Sequence, residues 1–169
     1  MRNRKHFTRP ALTTGIAILA LSLAAVAFAA GTERPYGGSC SAVVTPLTDP
    51  GVFPQELRID YDCTLTHLGR STAVAMQVVT PIGQSGAIVS TIIEAATIYK
   101  AANGDMLNVL LEGTALIDVQ TGDVTFIAKE TFDGGSGRFA DATGSSVLQG
   151  TASIFTNLGS FTTRGRLAY

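Results

Sequence analysis

Two carboxylates fall where the surrounding residue pattern leaves little room for water. Glu130 alternates with Val124, Phe126, Ala128 and Phe132, and Glu94 alternates with Ile88, Ile92 and Ile98. Residues two apart on a strand share a face, so each acid is expected on an apolar one. A carboxyl group held in a dry barrel is a candidate proton donor or acceptor. The plainer alternative is a face displaced by one residue, or a bulge, which returns either group to water. Tyr61, Tyr99 and Arg138 are the candidate binding residues, polar tips at a barrel mouth; the competing reading is tyrosine rings packed with wet hydroxyls.

The remaining chemistry is sparse. No Gly-x-Ser-x-Gly elbow, His-x-x-x-His pair or Cys-x-x-Cys motif occurs, and past residue 30 the one histidine is His67, which disfavours a nucleophile triad. Cys40 and Cys63 form an even pair that an oxidising compartment turns into one disulfide. With His67 they fall one ligand short of a closed zinc site. No metal and no cofactor is therefore expected.

Strands must position these residues. From Leu57 the period is two: Leu57, Ile59, Tyr61, Cys63 and Leu65 share one face, while Arg58, Asp60, Asp62, Thr64 and Thr66 share the other. Ser71–Thr80 returns as a strand, Pro81–Gly86 reads as a loop, and Ala87–Tyr99 is extended and dense in β-branched residues. Asn103-Gly104 marks a hairpin, Met106–Val119 runs back, Thr121-Gly122-Asp123 turns, and Val124–Phe132 follows. Ser145–Phe155 and Ser160–Tyr169 close the series around Asn157-Leu158-Gly159. Seven or eight strands joined as neighbours, with no amphipathic helix, predict an all-β fold: an antiparallel up-and-down barrel of about eight strands. Closure also removes the edges that a threonine-rich apolar sheet would expose.

The composition agrees. The 169 residues are 46% hydrophobic and 15% charged, with 18 glycines and no tryptophan. Arg2, Arg4, Lys5 and Arg9 precede every acidic residue, and an uncharged run from Ile16 to Phe28 ends in Ala27-Phe28-Ala29, the pattern of an export signal cleaved after Ala29. The rival is an uncleaved anchor. Without adjacent arginines the general secretory route is expected, delivering a secreted or periplasmic protein with no stable membrane span after cleavage. The domain plan is signal peptide 1–29, extended leader 30–54 and barrel 55–169. Beyond Arg9, eight basic residues face thirteen acidic ones, which excludes the basic stripe of a nucleic-acid binder and the polybasic patch of a lipid-surface protein.

Gly134, Gly135, Gly137 and Gly144 let the chain reverse after Phe132, with Phe139 and Ala142 tucked under the barrel end and Arg138 and Asp141 near water. A phosphate cradle is disfavoured, for no Lys-Ser/Thr ending and no helix follow. The segment GGSGRFADATGS, with a strand on each side, resembles the glycine loop of the allene oxide cyclase barrel-like group, to which plant dirigent proteins are similar. Gly134, Gly135, Gly137, Phe139, Ala142 and Gly144 match that loop, and Ser136 replaces its usual threonine. The match spans about a dozen residues. The resemblance implies an eight-stranded calycin-like barrel with an apolar lumen, often in a homo-oligomer, and carries no catalytic residue over. Three roles follow as expectations. The first is a non-catalytic exported barrel, binding a small apolar ligand or serving as a structural module. The second is an isomerase or cyclase folding an apolar substrate in the lumen. The third is a self-assembling surface protein with an immunoglobulin-like sandwich. An open apolar lumen containing either acid favours binding or catalysis; one filled by Phe, Leu and Ile favours the structural module.

Overall fold

The computed structural model describes residues 31–49 and 51–169; the expected signal segment, 1–29, lies outside them. Eight strands follow one another: β1 (Arg34–Pro46), β2 (Gln55–Leu65), β3 (Gly69–Ser85), β4 (Ile88–Ala101), β5 (Met106–Asp118), β6 (Asp123–Gly135), β7 (Thr143–Ser153) and β8 (Leu158–Ala168). Each pairs antiparallel with the next, and β8 returns to β1, so the sheet closes into an up-and-down barrel. The closed ring excludes the immunoglobulin-like sandwich, which needs two open sheets. Turn chemistry sits where the sequence placed it: Gly104 and Gly122 adopt left-handed φ values of 90° and 77°, and Asn157 one of 57°.

Three segments differ from expectation. The stretch read as a leader, 30–54, contains β1, which pairs with β2 along one edge and β8 along the other. Its glycines and prolines hide a strand because Gly38 interrupts the inward face, on which Tyr36, Cys40 and Ala42 are buried and Val44 is half-buried. Pro81 does not end β3; the strand continues to Ser85 across a bulge between Pro81 and Gly83, a position where a missing N–H is tolerated. At the other end of the barrel β6 runs past Phe132 to Gly135, with a register shift opposite Leu107 and Val109.

The two rims are unlike. At one, the chain between β6 and β7 makes a short 3-10 turn, Gly137–Phe139, that turns Phe139 inward, where it is fully buried in the same core cluster as Leu68, Leu107 and Leu167 and meets the Tyr169 ring edge-on at 5.0 Å. Gly137 holds φ at 60°, and a Cβ there would run into the Asp105 carboxylate. Arg138, on the water side, lies 3.4 Å from Asp105 and donates to the His67 carbonyl at 2.6 Å. The loop is thus tied to the β4–β5 and β2–β3 turns and seals this end. The other rim, formed by the β1–β2, β3–β4, β5–β6 and β7–β8 connections, is open.

Cys40 and Cys63 are directly opposed on β1 and β2 and form a disulfide. A bridge closing a loop of this length contributes roughly 3 kcal/mol by restricting the unfolded chain. Reduction with a thiol, or a Cys40→Ala/Cys63→Ala variant, is expected to lower the unfolding free energy by that amount in a urea titration, with the barrel's circular dichroism unchanged in water.

Candidate functional site

Inside the barrel the lumen divides into two layers, and the sequence explains the division. On β6, Ala128, Glu130 and Phe132 point inward and are buried, whereas Lys129 and Thr131 point out. Glu130 is only 1% exposed. Three hydroxyls from three other strands surround its carboxyl group. Tyr99 of β4 donates to Oε1 at 3.0 Å; Ser146 of β7 and Thr163 of β8 donate to Oε2 at 2.5 and 2.6 Å. Ser146 and Thr163 are themselves 3.0 Å apart. Both oxygens are thus committed to the protein, which is what a buried carboxyl group requires when no cation accompanies it.

Tyrosines cluster round this centre. The Tyr61 and Tyr99 rings stack with centroids 6.5 Å apart, and Tyr36 meets Phe132 edge-on at 4.8 Å. Burial raises the ionisation of Tyr36, Tyr61 and Tyr99 above the ordinary tyrosine value, and the negative charge of Glu130 raises all three further. The Tyr36 hydroxyl is buried without a hydrogen-bond partner among the described residues.

Above this polar layer the barrel is hollow. A cavity of about 490 Å³ opens at the unsealed rim, within the range of small-molecule sites. Tyr61, Leu111, Leu148 and Phe161 form its floor; Val44, Leu57, Ile59, Val79 and Ile93 contribute to its wall; Phe53 and Phe155 stand at its mouth. Among the described residues no charged side chain lines it. Leu47, Val52, Phe53, Ile154, Phe155 and Leu158, on the connections and strand ends at this rim, are exposed to water.

The sequence candidates separate accordingly. Glu130 lies in the lumen as expected but beneath the cavity floor, outside the cavity's lining. Glu94 faces outward, contrary to its candidacy: the inward residues of β4 are Thr91, Ile93, Ala95, Thr97 and Tyr99. Ile92 and Ile98 misled the reading because they too are exposed, so β4 is apolar on both faces and hydrophobicity cannot assign the phase. Glu94 stands opposite Glu112, with Lys129 next in the row. Tyr61 reaches the cavity. Tyr99 is not a mouth residue; it is 1% exposed and committed to Glu130. Arg138 belongs to the sealed rim and holds the glycine loop. Ser146 and Thr163 escaped notice, although each is a hydroxyl in phase with apolar neighbours, Leu148 for Ser146 and Phe161 with Leu167 for Thr163. Among the described residues no group of three or more His, Cys, Asp and Glu is placed to hold a metal ion, and no helix is long and apolar enough to cross a membrane.

No family model and no curated protein matches this chain. A solved structure that does match is Ail, the attachment invasion locus protein of Yersinia pestis. It is 10% identical, with 82% of this chain and 97% of Ail covered, at a TM-score of 0.18. So loose a superposition carries no argument about shared structure or role.

Proposed function

We propose that the protein is an exported, disulfide-bonded barrel that binds one small apolar molecule in its open lumen without transforming it. The observation that carries this reading is the uncharged cavity of about 490 Å³ open at one rim. A purely structural module has no need to leave that volume unfilled, since an apolar void costs stability in proportion to its size. The cyclase-like alternative needs a reactive group in the same space. Glu130, the one buried carboxylate among the described residues, spends both oxygens on Tyr99, Ser146 and Thr163 and lies behind Tyr61.

The outer face supports a barrel that stands in water. Asp60, Asp62, Glu94, Lys100, Glu112, Lys129 and Arg164 project outward along the strands and interrupt the exposed Val74, Ile92, Ile98, Leu110, Ile127 and Val147, whereas a lipid-spanning barrel keeps an unbroken apolar outer band. The paired cysteines and the N-terminal charge pattern support export through the general secretory route. The closed eight-stranded ring and the glycine loop at its sealed rim support the resemblance to the allene oxide cyclase barrel-like group as a matter of architecture.

A neutral apolar fluorophore such as N-phenyl-1-naphthylamine tests the reading. One saturable site per chain is expected, and ligand at about a hundred times its Kd should stabilise the fold by roughly 3 kcal/mol. Ala115→Phe, which projects a ring into the cavity from a wall position, is expected to weaken binding at least tenfold while leaving the protein folded. Linear, non-saturating fluorescence, or saturation untouched by Ala115→Phe, counts against the lumen as the site.

A further inference from the structure

The cavity's polar inventory is short enough to specify its occupant. Among the described residues no arginine, lysine or histidine lines it, and below the floor lies the carboxyl group of Glu130. A ligand carboxylate pushed to the floor would lose its water, find no cation and approach a group of like charge; a charge buried in that way is strongly disfavoured. Gln55, Ser153 and Asn157 lie toward the mouth, and Gln77 sits on the wall opposite Leu57, above the floor. Thr91 lines the wall, but its hydroxyl already reaches the Ala115 carbonyl at 3.3 Å. Tyr61 is different. Its ring is wedged between Tyr99, stacked at 6.5 Å, and Phe161, edge-on at 5.3 Å. Unlike Tyr99 it makes no side-chain hydrogen bond among the described residues, and it is the floor's only polar side chain.

We infer that the lumen selects a neutral, elongated apolar molecule carrying one oxygen acceptor at its leading end (a ketone, aldehyde, ester or ether), seated on the Tyr61 hydroxyl, and that it discriminates against fatty acid anions. Burial keeps the Tyr61 proton in place far above neutral pH, so the hydroxyl is a permanent donor at that floor. Taking about 30 Å³ per water-sized unit of liquid volume, the cavity accommodates roughly a dozen or more non-hydrogen atoms. The inference rests on the binding reading above and sharpens it from an apolar ligand to a neutral acceptor-tipped one.

The test is displacement of N-phenyl-1-naphthylamine at pH 8 by three chains of matched length: undecane, 2-undecanone and undecanoate. The ketone is expected to displace the probe at least tenfold more effectively than the carboxylate. Tyr61→Phe is expected to weaken the ketone about three- to tenfold, the size of one net hydrogen bond, and to leave undecane within twofold. Undecanoate binding as tightly as the ketone overturns the inference, as does a Tyr61→Phe variant that treats ketone and alkane alike with no change from the parent. In both cases the lumen remains an apolar site. Failure of the probe and all three chains to bind instead removes the binding reading itself. The ketone-to-carboxylate comparison is made on the unmodified protein and holds whether or not the variant folds.

Discussion

Raising the pH from 9 to 11 is expected to remove about 4 kcal/mol from the stability of the barrel, with a similar loss for the next pH unit. The cause is the set of three inward tyrosines. Tyr36 is 3% exposed and Tyr99 1% exposed, and Tyr61 is half-buried at the cavity floor. Burial, followed by the charge of Glu130, raises the ionisation of all three in the folded state. In the unfolded chain they ionise near pH 10. Below that value both states keep the protons and the effect is absent. Above it the unfolded chain releases protons that the folded one retains, so stability falls until the folded values are reached. Each tyrosine contributes about 1.4 kcal/mol per pH unit in that window. The check is absorbance at 295 nm recorded with circular dichroism: three of the four tyrosines in the chain should ionise only as the strands are lost. Tyr36→Phe is expected to flatten the slope by a third. It should cost nothing at pH 7, because it deletes a buried hydroxyl that has no partner among the described residues. Tyrosinate formation centred near pH 10 with the dichroism intact contradicts the burial of these rings.

Glu130→Leu is expected to destabilise the protein by about 4 kcal/mol. Leucine approximates the volume but accepts no hydrogen bond. Tyr99 then loses the partner it had at 3.0 Å, and of Ser146 and Thr163 only their mutual contact at 3.0 Å survives. An unsatisfied buried hydroxyl costs about 1–3 kcal/mol. Relief from desolvating the carboxyl group works in the other direction, and a compensated variant separates the two effects. Replacing Tyr99, Ser146 and Thr163 by Phe, Ala and Val alongside Glu130→Leu leaves no stranded partner and is expected to recover most of the loss. Glu130→Gln, which keeps two of the contacts, should cost about 1 kcal/mol and leave probe affinity in the lumen unchanged. Urea titrations measure all three variants. Ligand affinity that collapses in Glu130→Gln while stability holds would move Glu130 from framework to site.

These two centres also show what an amino-acid sequence discloses about a barrel. The alternation through β2 and β5 assigned faces correctly because one face is charged or polar: Arg58, Asp60 and Asp62 leave no doubt about Leu57, Ile59 and Tyr61. On β4 the rule lost its purchase, since Ile92 and Ile98 face water as Ile93 faces the lumen. Closure of the ring settles what periodicity cannot, because β4 is paired on both edges and its phase is fixed by β3 and β5 together. Glu130 was legible as an inward acid from its own strand. Its hydroxyl partners were not, for Tyr99, Ser146 and Thr163 lie 31, 16 and 33 residues away; Ser146 arrives by direct pairing of β7 with β6, and Tyr99 and Thr163 by the curvature of the closed sheet. The glycine loop announced a sharp reversal. That it seals one end and leaves the other open depends on Phe139 turning inward at one rim while nothing comparable among the described residues fills the other.

The division of the lumen into a sealed polar layer and an open apolar cup is tested most directly by a crystal structure grown with 1-bromoundecane, using the anomalous signal of bromine to place the chain. The account predicts one ordered chain per protein, between the floor at Tyr61 and Leu111 and the mouth at Phe53 and Phe155. A lumen packed solid by its own side chains, with bromine found only on the outer face, contradicts it.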